Sequence, residues 1–496
     1  MNRIALIITL VLSLSFTGYS WERTYGDTCD DETQSVCKGW DEGYIIVGIY
    51  NPTSALDGEG VPFAFKIDEV GDTIWYRTYG DTIKDQTADC IIKGHEGEYV
   101  ILGNEKQYIN WYNPFLLIIN NSGDTVLYEQ YDSIGGICHS IAKTGESGYI
   151  FTGSKSYGST GPPRDLLLVR VDRGGDTLWK RTYGGDIRCE GREVIECPDG
   201  SFLVCGNTQW YEYGRYMENF LLIKVNSEGD SLWGRVFGER FRCSAYSILT
   251  QTDKIYIGGY IFPDTLLDLD IDMFVLCTDS DGYLLWEKKI GGSAHDIGPF
   301  DMEFAYDGGI MLLGNTSSSG AGINDIYLVK CSYDGDSLWA RTYGTYLDEW
   351  SHGIVKTADN GYLIAATMVN DYTSNTDIYI IKVDSLGIST SIEEQTSDMG
   401  LKPLAYEISA YPNPFNSSVS ITAPAGAEIE IFDINGRMVD NISVGEGPRA
   451  FPSREHTGVL PYECVWQPSK SIGTGVYLVR ATVGEQSTSK RIVYLK

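Results

Sequence analysis

The chain has 496 residues, a net charge of −30, 56 Gly, 34 Tyr and 11 Cys. Such an acid excess excludes roles that rest on phosphate contacts, so no nucleic-acid partner is expected. The length exceeds one ordinary core and points to several domains, or to a repeat array with an added module.

Residues 1-20 read as a signal peptide. Arg3 supplies the positive start, Ile4 to Leu14 is the apolar run, and Gly18-Tyr19-Ser20 offers a cleavage site before Trp21. The run is too short to span a bilayer, and no later segment is apolar for long enough. The mature chain is therefore expected to lack a transmembrane segment.

Residues 21-390 repeat. GDTIWYRTYGD begins at Gly71, GDTLWKRTYGG at Gly175 and GDSLWARTYGT at Gly335, with weaker copies between. Marking the aromatic gives Trp21, Trp75, Tyr128, Trp179, Trp233, Trp286 and Trp339, at intervals of 54, 53, 51, 54, 53 and 53 residues. Each unit holds four strand-like pieces joined by Gly, Asp and Asn turns. Four short strands in such a unit make a propeller blade. The last unit lacks a Trp-bearing fourth strand, and Trp21 to Tyr25 is a fourth strand without a unit. The first strand should therefore complete the last blade, leaving no free edge. Residues 391-408 read as a polar linker. Residues 409-496 alternate apolar and polar residues over Val419 to Thr422, Glu428 to Asp433, Gly475 to Val483 and Lys490 to Leu495. The expected fold is all-β: a seven-bladed β-propeller plus a C-terminal immunoglobulin-like β-sandwich.

The repeat resembles bacterial propellers with a D-x-D/G-x-x-W turn, including the tryptophan-docking repeats of quinoprotein dehydrogenases. It is loosely similar to the Asp-box of sialidases, whose spacing Ser332-Tyr333-Asp334-Gly335 does not keep. That resemblance speaks for fold, not activity. The C-terminal stretch resembles the type A sorting domain of the type IX secretion pathway. The matching residues are Tyr411-Pro412-Asn413-Pro414-Phe415, Ile431-Phe432-Asp433-Ile434-Asn435-Gly436-Arg437, Trp466, Gly475-Val476-Tyr477-Leu478-Val479-Arg480 and the terminal Lys490 to Lys496. Gly445 to Cys464 is longer and more irregular than the family pattern. The resemblance implies outer-membrane secretion machinery as a partner, removal of this domain, and attachment to surface lipopolysaccharide. It places the chain outside the cell, secreted or on the surface of a double-membrane bacterium.

Ten residues past each repeat aromatic lie Asp31, Asp85, Cys138, Cys189, Cys243, Asp296 and Glu349. They are candidates for a ring at the mouth of the central channel. An Asp just before a first strand ordinarily fixes the turn by accepting backbone N–H bonds. The functional alternative is a hard cation held by Asp296, Glu349, Asp31 and Asp85, with Cys138, Cys189 and Cys243 forming one disulfide or binding a soft metal. Asp268, Asp270 and Asp272 alternate and are a second candidate calcium site. Calcium is thus the candidate cofactor. The 11 Cys are odd in number, so at least one thiol is free, paired between molecules or metal-bound.

Loops between second and third strands carry Tyr108, Trp111 and Tyr112, and Trp210, Tyr211 and Tyr213. Exposed aromatics there suit stacking on sugar rings or on a protein epitope. No spaced metal motif, nucleophile elbow or phosphate loop occurs, so no catalytic residue is named. The leading reading is a non-enzymatic surface binding protein for polysaccharide or protein. The alternative is a secreted propeller enzyme: a polysaccharide hydrolase or lyase, or a quinone-dependent dehydrogenase.

Overall fold

Short runs of Ile, Val, Leu and Tyr, cut at regular steps by Asp/Asn–Gly turns, fold as strands from end to end. A computed structural model describes residues 20–389 except 27–28, 52–59, 81–83, 109–110, 146–147, 156–164, 186, 213–214, 239–241, 263–269 and 370–374. Within 409–494 it describes the strands named below and a few flanking residues. The chain divides into two units, Met1–Thr390 and Ser391–Lys496.

The first unit holds seven four-stranded antiparallel sheets. Six are built from consecutive strands. Their innermost strands are Asp30–Lys38, Gln86–Lys93, Gly136–Thr144, Arg188–Glu196, Cys243–Gln251 and Asp296–Phe304. The seventh combines Glu349–Lys356, Tyr362–Val369 and Thr376–Val383 with Trp21–Tyr25 as its outermost strand. We number these blades 1 to 7. Trp21–Tyr25 is paired along its whole length, from Trp21 opposite Lys382 to Tyr25 opposite Ile378. Blade 7 then packs on blade 1. Leu363, Ala365, Ile378 and Ile380 share one buried cluster with Val36, Ile46, Phe63 and Phe65. The Thr33 N–H donates to Thr367 Oγ1 at 3.0 Å, and its hydroxyl donates to Ala366 O at 3.1 Å. The ring is closed, and the first unit is a seven-bladed β-propeller.

One contact recurs at the junctions. The outer strand of a blade lays its aromatics on the Asp/Gly turn that follows the third strand of the next blade. Indole N–H groups of Trp21, Trp75 and Trp179 donate to the carbonyls of Glu69, Asn121 and Ser227 at 3.0–3.1 Å. Hydroxyls of Tyr25, Tyr79, Tyr131, Tyr183 and Tyr343 donate to the carbonyls of Gly71, Gly123, Gly175, Gly229 and Gly387. The turn glycine must have a positive φ and no side chain. Gly335 has φ 81°, and a Cβ there would sit 2.6 Å from the Trp286 ring.

Strand pairing corrects one assignment. Lys66 lies opposite Trp75, and the equivalent Ile118 lies opposite Leu127, not Tyr128. Leu127 therefore takes the Trp place in blade 2. Tyr128 instead stacks on Phe115 at 5.3 Å, as Tyr76 stacks on Phe63 at 5.7 Å. The aromatic of blade 2 stands one residue beyond the seat.

The second unit has two sheets. One orders Ser409–Tyr411, Val419–Pro424 and Pro461–Trp466; the other orders Met438–Ser443, Glu428–Asp433, Gly475–Val483 and Gln486–Tyr494. Both contribute to one core around Val419, Ile421, Ile429, Ile431, Trp466 and Val479. Trp466 is 2% exposed, and its indole N–H donates to Asp440 Oδ2 at 2.9 Å. Met438–Ser443 and Pro461–Trp466 were not anticipated, because their polar residues blur the alternation. The segment Gly445 to Cys464 lies mostly outside the described residues.

Removing Trp21–Tyr25 should open blade 7 and expose its edge, with a large fall in melting temperature and new protease cuts in 349–383. Gly335→Ala should cost about 1–3 kcal/mol through overpacking against Trp286, read as a lower denaturation midpoint with unchanged slope.

Candidate functional site

Register puts Asp31, Cys189, Cys243, Asp296 and Glu349 at equivalent positions of their inner strands. In blades 2 and 3 that position belongs to Gln86 and Gly136, not to Asp85 and Cys138. The connections entering those blades differ in length, so a fixed count drifts.

The anchors do not line the axis. They tuck under the connection that enters their own blade. Glu349 Oε1 accepts the Thr345 N–H at 3.0 Å and its hydroxyl at 2.7 Å. Asp296 accepts the Gly292 N–H at 2.5 Å, the Ser318 hydroxyl at 2.7 Å and the Thr316 hydroxyl. Asp85, outside that register, instead accepts the Gly60 N–H of blade 1 at 3.2 Å and pairs with Lys106 of its own second strand at 2.9 Å. Cys189 and Cys243 are thiols donating to Ile187 O and Phe237 O at 3.7 Å. Cys138 is likewise a buried thiol. All three cysteines are free thiols, so they form no disulfide with one another. Among the described residues no three His, Cys, Asp or Glu side chains converge as metal ligands. Asp268 lies outside the described residues; Asp270 and Asp272 are half-buried beside blade 5.

The aromatic segments are strands, not loops. Glu98–Tyr108 and Trp111–Asn120 pair out to Tyr108 opposite Trp111; Tyr112 belongs to the same hairpin. Phe202–Glu212 and Arg215–Val225 pair out to Glu212 opposite Arg215, with Tyr211 opposite Tyr216 in the backbone register. Tyr is a good strand former, so these runs extend the ladder. Trp210 and Tyr112 are half-buried, and Tyr213 is outside the described residues. Two crevices of about 470 and 400 Å³ open between blades 7 and 1 and between blades 3 and 4. Tyr25 and Asp31 line one, and the equivalent Tyr183 and Cys189 line the other. They are gaps of the repeat.

The arrangement with chemistry is one the sequence did not reveal. Every inner strand carries a bulge at the same place, and the extra residues are Gln34, Asp89, His139, Arg192, Tyr246, Phe300 (with Pro299) and His352. A bulge re-aims its side chain and bends the strand. From blade 3 to blade 6 these residues join around the axis. His139 Nε2 lies 2.8 Å from Glu190 Oε1. Arg192 Nη2 lies 3.5 Å from Glu190 Oε2, and its guanidinium covers the Tyr246 ring at 5.0 Å. Tyr246 meets Phe300 edge-on at 5.3 Å and Tyr260 at 5.6 Å. Tyr260 continues to Phe262 at 5.6 Å, under the Arg242 guanidinium at 4.3 Å. Glu218 completes the group, 3.9 Å from Arg242 and accepting the Ser244 hydroxyl at 3.3 Å. Burial pushes the Glu218 carboxyl up.

At four of the bulges the residue that follows does different work. Ser35 Oγ accepts the Ile91 N–H, Ser140 Oγ the Val194 N–H, Glu193 Oε2 the Ile248 N–H and Asp301 Oδ2 the Ile354 N–H, at 2.6–3.3 Å. Each bond ties one inner strand to the next. Burial first, then Asp301, raises the Glu193 carboxyl to about 8; burial raises Asp301 to about 7. Burial lowers His352 to about 4, so it is neutral at pH 7. No sequence count would have found the bulges, because the seven side chains are of six residue types and share only a register irregularity.

Residues 409–450 match the secretion system C-terminal sorting domain. The chain is therefore cargo of type IX secretion, delivered to the cell surface or the extracellular space, and the secretion machinery is its partner. Among the described residues no helix is long and apolar enough to cross a membrane. No curated protein sequence matches the chain. Among solved structures it is similar to a europium-containing methanol dehydrogenase, at 11% identity over 72% of this chain and 82% of that one, with TM-score 0.40. A mutant of the Synechocystis apocarotenoid oxygenase matches at 12% over 74% and 91%, with TM-score 0.43. A mutant puromycin hydrolase matches at 12% over 79% and 58%, with TM-score 0.45. Likeness at this level concerns fold and carries nothing about activity.

Glu193 and Asp301 set a pH dependence. A folded pKa raised above the unfolded value favours the protonated fold, so stability falls as pH rises from about 4 and levels off above 7 to 8. Glu193→Gln keeps an oxygen for the Ile248 N–H and removes the charge. It should raise the melting temperature at pH 8 by about 2–4 °C and leave it unchanged at pH 4; equal melts at both pH values would refute the assignment.

Proposed function

We propose that the propeller is an extracellular glycan-binding module, brought to the cell surface by its sorting tail. On this reading residues 1-20 are the cleaved signal peptide, 21-390 the binding domain, 391-408 a linker and 409-496 the tail. The observation that carries it is the run of Tyr246, Tyr260, Phe262 and Phe300 flanked by Glu190, Arg192, Glu218 and Arg242. Sugar rings offer apolar C–H faces to aromatic planes and hydroxyl edges to carboxylates and guanidinium groups. Tyr260 and Phe262 end a second strand, and Arg242 precedes a first strand. In antiparallel blades those ends share one face of the disc, the face that also carries the Trp111 and Trp210 hairpins.

Binding without turnover is favoured by what holds the acids. A glycosidase needs two carboxyl groups free to face the scissile bond. Glu193 and Asp301 have the raised pKa values of acids but are tied to backbone N–H groups of neighbouring blades. An anionic quinone would find only Arg192 among the seven bulge residues as a cation, already beside Glu190.

A glycan array with the secreted chain tests this. Tyr246→Ala and Arg192→Ala should each reduce glycan binding about tenfold or more, for ~1.4 kcal/mol per lost contact, with the fold retained by circular dichroism. Binding to no glycan would remove the reading, and release of sugar products would replace it with the enzyme.

A further inference from the structure

The junction between blades 6 and 7 gathers carboxylates without a counter-charge. Glu349 opens the inner strand of blade 7 and is 0% exposed; Asp325 opens the third strand of blade 6 and is 1% exposed. Both face the same glycine: a Cβ on Gly344 would strike Glu349 Oε2 and Asp325 Oδ1 together. Glu349 Oε1 is occupied by Thr345, but its Oε2 is buried with no hydrogen-bond partner. Asp325 accepts the N–H groups of Ala321 and Gly322 at 3.2 and 3.0 Å. Asp348, bridged to Asn324, adds a third negative charge felt by both. No lysine or arginine pairs with any of the three among the described residues.

Two buried carboxylates in one site cannot both stay ionised unless something neutralises them. Carbonyl oxygens are close by: a Cβ on Gly322, whose N–H is held by Asp325, would strike Leu347 O and Thr345 O. The donors are all oxygen, the preference of a hard cation with six to eight ligands. The chain works outside the cell, where weak calcium sites of ~10⁻⁴–10⁻³ M are characteristic of extracellular modules. We propose that Glu349 and Asp325 hold a calcium ion that clasps blade 6 to blade 7, with backbone carbonyls and water completing its shell. The site joins the blade that closes the ring to its neighbour, so calcium would act on closure. This inference is independent of the glycan reading.

Without the ion, burial with the charges of Asp325 and Asp348 pushes Glu349 to about 7. The experiment is a thermal melt of the secreted chain at pH 7.5 in chelator and in millimolar calcium chloride, with calorimetric titration of calcium alongside. Calcium should raise the wild-type melt by about 2–4 °C. Glu349→Gln should abolish that rise and, in chelator, melt above the wild type because the repulsion is gone. Asp348→Asn leaves the buried pair intact and should weaken calcium binding several-fold, which serves if Glu349→Gln does not fold. A wild-type melt unchanged by calcium means that a proton neutralises the pair, and the proposal falls. A calcium rise undiminished in the variants places the ion elsewhere and also overturns it.

Discussion

Everything in the first unit depends on one contact: an outer-strand aromatic seated on the glycine turn of the next blade. An isolated four-stranded sheet leaves both faces and both edges without cover. The docked Trp or Leu and the Tyr hydroxyl fix the neighbour at a set distance, and the buried clusters between blades then fill. The turn glycine is needed for two reasons at once, its positive φ and the ring lying where a Cβ would be. Repetition makes the contact cooperative, since each blade both gives and receives it. The ring needs seven such seats, and the seventh is supplied by Trp21 and Tyr25 on the turn at Glu69 and Gly71.

Much of this is legible in the sequence alone. The recurring Gly-Asp-Thr/Ser-x-Trp turn specifies a docking aromatic and a hairpin, and the leftover Trp21–Tyr25 specifies closure. The pattern is local, so it survives in sequence. Blade 2 shows where legibility ends. Leu127 fills the seat by volume, while the neighbouring Tyr128 mimics the motif by letter. Only the cross-strand register separates them.

The candidate site was hardly legible, for a physical reason. Its residues are made neighbours by ring closure and by a bulge, and neither leaves a common residue type. His139, Arg192, Tyr246 and Phe300 come from four blades and are linked, His139 to Arg192 through Glu190, only because their inner strands stand side by side. The acids and thiols that did stand out by spacing turned out to brace connections. An evenly spaced residue is what a repeat needs for its own architecture. An irregular residue at a regular place is where a repeat acquires chemistry, because the scaffold does not depend on which side chain stands there.

The N-terminal strand also sets an order of events. Glu22 and its partner Tyr379 are 357 residues apart, so the first strand made waits for the last. Bringing such distant ends together carries the largest loop-closure entropy in the chain, and contacts of that span form late. A chain stopped short of blade 7 has no seat for Trp21 and keeps an open edge. Completeness of the propeller is thus checked by its own topology: full-length and truncated products differ not in one blade more or less, but in whether the circle exists.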